Sequence, residues 1–174
     1  EAISLIQTSA SLFEDGYDTR IKRLICENSN SPAYTSAEAI GAAARALGTH
    51  KIALVSPYSD EVIRFAKHYY EANCGLSVIA VEGFGATDAY AIGALDDSHA
   101  VEAFERIDSP EIEALVVPGG NFPTMRHIAA WEERFGKPVI TTNQVVLWSM
   151  MAALSVRDPI PGLGRLLTEM PAWA

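Results

Sequence analysis

The chain has 174 residues, 49% hydrophobic and 20% charged, enough apolar material for one full domain and unlike the make-up of a disordered or fibrous protein. A formal net charge of -9 without any basic run argues against nucleic acid or an anionic membrane as partner, because phosphate-facing surfaces need clustered Lys and Arg. Cys26 and Cys74 lack metal-ligand spacing and no signal-peptide or membrane-length apolar run is present, so a cytoplasmic location without zinc or disulfides is expected.

Apolar, β-prone runs alternate with helical periods, the pattern of parallel strands joined by crossover helices. A strand is predicted from Ala2 to Gln7, then a polar loop, then a helix from about Asp18 to Glu27. Thr35-Ser36-Ala37-Glu38 reads as a capping box opening an alanine-rich helix that ends near Gly48. Lys51 to Ser56 is a short buried strand. Pro57-Tyr58-Ser59-Asp60-Glu61 turns it into a helix in which Val62, Ile63, Phe65, Ala66 and Tyr69 follow the helical period. Leu76 to Val81 is the next strand, followed by a loop with Gly83 and Gly85 and a helix from about Ser98 to Ile107.

Ala114 to Val117 forms a further strand, and Pro118-Gly119-Gly120-Asn121 is its exit loop. A helix from Pro123 to Phe135 is closed by Gly136. Pro138 to Thr142 is the last strand, and Asn143 is expected to cap a strongly apolar, buried helix carrying Val145, Leu147, Trp148 and Met151. The fold class is therefore α/β with a doubly wound parallel sheet. In such sheets ligands bind beyond the carboxyl ends of the strands. That rule selects Thr8, Ser9, Tyr58, Ser59, Gly83 to Gly85, Gly119 to Asn121, and Asn143. Each also has a purely structural reading: turn or cap for Thr8, Ser9 and Asn143, rim aromatic for Tyr58, tight turn for the glycine pair.

Five segments carry a family resemblance. Gln7-Thr8-Ser9-Ala10-Ser11 resembles the Cys-Thr-Ser-x-Ser of maleate isomerases and arylmalonate decarboxylases, in the aspartate/glutamate racemase superfamily. Lys51 to Val62, Val117 to Thr124, Lys137 to Trp148 and Gly162 to Leu167 resemble later segments of that group, in the same order. The resemblance implies two pseudo-symmetric flavodoxin-like halves that bind a small dicarboxylic acid between them. It assigns 1–34 to the end of a first, incomplete half, 35–145 to a second half, and 146–174 to a helix and tail returning to the first. The family's first strands have no counterpart before Glu1.

In that group one thiolate attacks or deprotonates the substrate carbon and a second cysteine returns a proton, whereas decarboxylases need only the second. Here Gln7 occupies the first cysteine position, and Gly119, or Pro118 in an alignment anchored on the glycine pair, occupies the second. The two-cysteine mechanism is closed, because neither an amide nor a missing side chain titrates. Gly119→Cys is expected to create or raise malonate decarboxylation if the pocket is like that of the family. The resemblance assigns carboxylate binding to Thr8, Ser9, Tyr58, Gly120, Asn121 and Asn143, as an oxyanion hole, and catalytic positions to Tyr58, Ser9, Gly119 and Gln7. It implies an isomerase or decarboxylase acting on a small dicarboxylic acid, or a carboxylate-binding relative without turnover.

No metal or organic cofactor is expected, since the sequence has neither a ligand cluster nor a nucleotide fingerprint. A homo-oligomer is compatible with the sequence. His50, His68, His99 and His127 are expected on the surface, and Cys26 and Cys74 as packing residues. Val116 to Gly120 also resembles the oxyanion strand of class I glutamine amidotransferase-like proteins, but neither cysteine sits in the required strand-to-helix elbow.

Overall fold

The computed structural model describes residues 1–173 and contains two parallel sheets. The smaller pairs β1 (Ile3–Leu5) with β2 (Ala33–Thr35), and α1 (Tyr17–Ser29) packs on it. The larger has the order β4-β3-β5-β6, built from β3 (Lys51–Ser56), β4 (Ser77–Gly83), β5 (Ala114–Val117) and β6 (Val139–Thr141). Its strands taken in chain order run 2-1-3-4, the flavodoxin-like winding, with the direction of winding reversing between β3 and β5.

Strands covered on both faces read as continuous apolar runs, and β5 (ALVV) and the Ile52 to Val55 stretch of β3 (KIALVS) do. Their two-residue period divides the core. Ile52, Leu54 and Val116 face a cluster with residues of α2 (Ser36–Ala46), α3 (Asp60–Cys74) and α7 (Thr142–Ala153). Ala53, Val55, Leu115 and Val117 face a second cluster with residues of α5 (Asp97–Ile107) and α6 (Ile128–Phe135). The alanines of α2 let it pack closely on α7, and Gly41 leaves room for the buried Cys74, whose sulfur would lie 2.4 Å from a Cβ at that glycine.

Several expectations are corrected. β1 is shorter than Ala2 to Gln7, because its pairing partner β2 ends at Thr35, opposite Leu5, where α2 begins. β2 was not expected; Pro32 precedes it, and its pairing with β1 supplies what three residues alone could not. A short α4 (Ala89–Gly93), capped by Asp88, follows β4, and α8 (Gly164–Glu169) lies near the end of the chain. α6 starts at Ile128, not Pro123, since Phe122 to Thr124 turn tightly and a 3-10 helix (Met125–His127) intervenes. Asn143 is not the cap of α7: Thr141 is, its N–H donating to Gln144 Oε1 at 3.2 Å, because pairing of Val117 with Thr141 carries β6 to that residue. Thr35 does cap α2, accepting from the Glu38 N–H. Among the described residues no helix is long and apolar enough to cross a membrane.

Candidate functional site

A cleft of about 600 Å³ opens where strand ends from both sheets meet. Ile6 to Ser9 and Phe13 come from the exit of β1; Tyr58, Ser59 and Val62 from the exit of β3; Ala86 to Ala89 and Ile92 from the exit of β4; Gly119 to Asn121 from the exit of β5. It therefore includes the β3/β5 reversal, where crossover helices leave to opposite faces and the strand ends stay uncovered.

Of the residues selected from sequence, Gln7, Thr8, Ser9, Tyr58, Gly119, Gly120 and Asn121 share this cleft. Asn143 does not line it. Its side-chain amide donates to the Gly120 carbonyl at 3.0 Å and braces the loop from behind. The backbone N–H groups of Thr8, Ser9, Gly120 and Asn121 have no acceptor among the described residues. The Thr8 hydroxyl is buried, 2.9 Å from the hydroxyls of both Ser36 and Thr142.

Tyr58 is the titratable group in the middle of this wall. Burial pushes its phenol up to about 12, while the neighbouring Thr8 and Ser9 side chains pull to a lesser extent the other way. At neutral pH it is a protonated donor. A Cβ at Gly119 would lie 3.9 Å from the Tyr58 hydroxyl, but also 2.9 Å from Pro57 Cγ, and Gly119 adopts φ +124°. The backbone conformation and the proline ring both oppose a side chain at Gly119, a cysteine included.

Sequence reasoning missed the fourth wall, from Ala86 to Ala89 and Ile92, and the apolar contributions of Phe13 and Val62. The signal was present in Asp88, whose carboxylate accepts from the Tyr90 and Ala91 N–H groups as a helix cap just beyond a strand. The cysteines lie elsewhere. Cys26 is exposed on α1, and Cys74 is buried, its thiol pushed up to about 11 chiefly by burial. His50, His68 and His99 are exposed, whereas His127 is half-buried and stacks on Trp131. Among the described residues no group of three or more His, Cys, Asp or Glu is placed to hold a metal ion.

Fold and cleft together define a doubly wound α/β protein with a partly apolar crevice of about 600 Å³ at its switch point. The chain belongs to the arylmalonate decarboxylase family, whose model matches residues 1–167. It is 27% identical over 136 residues to a maleate isomerase of Nocardia farcinica, covering 78% of this chain and 54% of that protein. It is also 27% identical over 174 residues to the arylmalonate decarboxylase of Bordetella bronchiseptica, covering 96% and 71% respectively. The chain spans 54%, 62% and 65% of the length of the maleate isomerases from N. farcinica, Geobacillus stearothermophilus and Alcaligenes faecalis.

Among solved structures, the maleate isomerase Iso(C200A) of Pseudomonas putida S16 with maleate superposes with TM-score 0.86 at 26% identity, over 92% of this chain and 67% of that one. The N. farcinica maleate cis-trans isomerase bound to Tris gives 0.92 at 25%, over 97% and 71%.

Proposed function

We propose that the cleft binds a small dicarboxylic acid by one of its carboxylates, between a wall from residues 1–34 and a wall from 35–145, for cofactor-independent decarboxylase or isomerase chemistry. The observation that carries this reading is that Thr8 and Ser9 on one wall and Gly120 and Asn121 on the other, whose N–H groups have no acceptor among the described residues, line the same cleft as the protonated Tyr58 phenol. Donor bonds to a charged acceptor contribute about 1.5–3 kcal/mol each, and a micromolar complex needs about 8. Several must act together. A relative was solved with maleate, which is consistent with this class of guest.

Of the two chemistries, decarboxylation suits the cleft better. Isomerisation by addition needs a nucleophile, and the cleft lining contains no cysteine, lysine or histidine. Decarboxylation of a malonate needs less. The C–C bond to the departing carboxylate breaks, its electron pair spreads into the retained carboxylate as an enediolate held by the donors, CO2 leaves, and the α-carbon takes a proton. Tyr58 is the acid available for that last step, its phenol then being reprotonated from solvent. A second reading, favoured by the position of both thiols outside the cleft, is binding without turnover.

Proton NMR of the protein with phenylmalonate and with maleate tests both readings, beside calorimetry with malonate. Phenylacetate from phenylmalonate, with maleate unchanged, is expected. Binding without product selects the second reading, and failure of all three acids to bind at millimolar concentration overturns both. Tyr58→Phe removes one donor and is expected to weaken binding of the acid about tenfold.

A further inference from the structure

A run of buried hydroxyls crosses beneath the cleft. The Gly119 N–H donates to Thr142 Oγ1 at 2.9 Å, Thr142 Oγ1 lies 2.9 Å from Thr8 Oγ1, and Thr8 Oγ1 lies 2.9 Å from Ser36 Oγ. Ser36 Oγ then donates to the Ile6 carbonyl at 3.0 Å. The ends fix the direction of the whole run. A backbone N–H can only donate and a carbonyl can only accept, and each hydroxyl has one proton. Ser36 spends its proton on Ile6, so Thr8 must donate to Ser36, and Thr142 must donate to Thr8.

We propose that Thr142 and Ser36 are positioning residues of the carboxylate cleft, acting through Thr8; the inference rests on the carboxylate-binding reading above. Thr142 belongs to α7 and Ser36 to α2, and neither lines the cleft. Together they bind the exit loop of β5 to the exit loop of β1, the two loops that carry the unpaired N–H groups. The run also sets which donors face a guest. It occupies the Gly119 N–H and the Thr8 hydroxyl proton, leaving the N–H groups of Thr8, Ser9, Gly120 and Asn121 free. Low exposure makes the arrangement firm: Thr8, Ser36 and Thr142 are each 1% exposed, so water cannot readily replace a missing partner.

The test is a double-mutant cycle in the full chain, read by malonate calorimetry and by amide exchange at Gly119 in the unliganded protein. Thr142→Val keeps the shape and removes the hydroxyl; Thr142→Ser keeps the hydroxyl. The expected result is about tenfold weaker malonate binding for Thr142→Val and for Ser36→Ala, with near-wild-type affinity for Thr142→Ser. The pair Ser36→Ala/Thr142→Val should lose little more than either single variant, because the two hydroxyls communicate only through Thr8. Gly119 exchange should accelerate in Thr142→Val and not in Thr142→Ser.

Additive losses, or a Thr142→Ser variant as weak as Thr142→Val, overturn the proposal. If wild type ignores malonate, the binding reading fails and the positioning role falls with it, whereas Gly119 exchange still reports whether the run exists. A Thr142→Val variant that does not fold leaves Ser36→Ala and Thr142→Ser to decide: full affinity in the first, or a tenfold loss in the second, refutes the idea.

Discussion

Gly119 is the position at which the exit loop of β5 is most sensitive to a single atom. Placing a Cβ there brings it 2.9 Å from Cγ and 3.2 Å from Cδ of Pro57, a ring that cannot rotate away. The backbone at φ +124° adds a conformational cost of roughly 1–3 kcal/mol for any residue other than glycine. Overpacking in a close-fitting site costs roughly 1–3 kcal/mol more. Gly119→Ala, and Gly119→Cys equally, should therefore destabilise the protein by about 3 kcal/mol, and at roughly 2–4 °C per kcal/mol Tm should fall by about 6–12 °C.

Gly120→Ala is the matched control. Its backbone lies outside the left-handed region, and its Cβ would meet Ile6 Cγ2 at 3.1 Å, a side chain 48% exposed and free to swing. A loss below about 1 kcal/mol is expected there. Differential scanning calorimetry of the two alanine variants decides the matter. Equal Tm values, or a Gly119→Ala variant melting within about 2 °C of wild type, would refute the reasoning and reopen Gly119 as a site for a grafted thiol.

Two further predictions concern titration and accessibility. Tyr58 is raised to about 12 and Cys74 to about 11 by burial, so both groups stabilise the fold fully below their unfolded values near 10 and 9. That stability is lost as pH rises through the folded values, so Tm should decline between about pH 9 and 12, and Tyr58→Phe should flatten the upper part of the decline. An unchanged Tm across this window contradicts the burial of both groups. Under native conditions at pH 8 a thiol reagent should modify Cys26 rapidly and Cys74 only after unfolding; two fast-reacting thiols would contradict the packing of α3 against α2.

Much of this architecture was legible in the sequence, for identifiable reasons. β3 and β5 are continuous apolar runs bounded by turn residues, and the helices after them begin at or after a serine cap or a proline. What escaped depends on partners distant in sequence. β2 exists through pairing with a strand 30 residues earlier, Ile3 opposite Ala33. The run Thr141-Thr142-Asn143 offers three equally good caps, and only pairing with β5 selects Thr141.

The cleft residues were legible as strand exits, but the division of labour among them was not. Thr8 looks like a ligand-facing hydroxyl until Ser36 and Thr142, 28 and 134 residues away, are seen to hold it. Asn143 looks like a cap until its amide is found on the Gly120 carbonyl.

Because the cleft takes its lining from both sheets, its contents also belong to the mechanics of the whole molecule. An occupant acts as a cross-brace between two blocks that are otherwise separate hydrogen-bonded sheets. By mass action, an acid at one hundred times its Kd would add about 2.7 kcal/mol to the energy needed to pull those blocks apart. The filled protein should therefore shake less and resist proteolysis longer than the empty one, with the greatest gain in the segments nearest the seam.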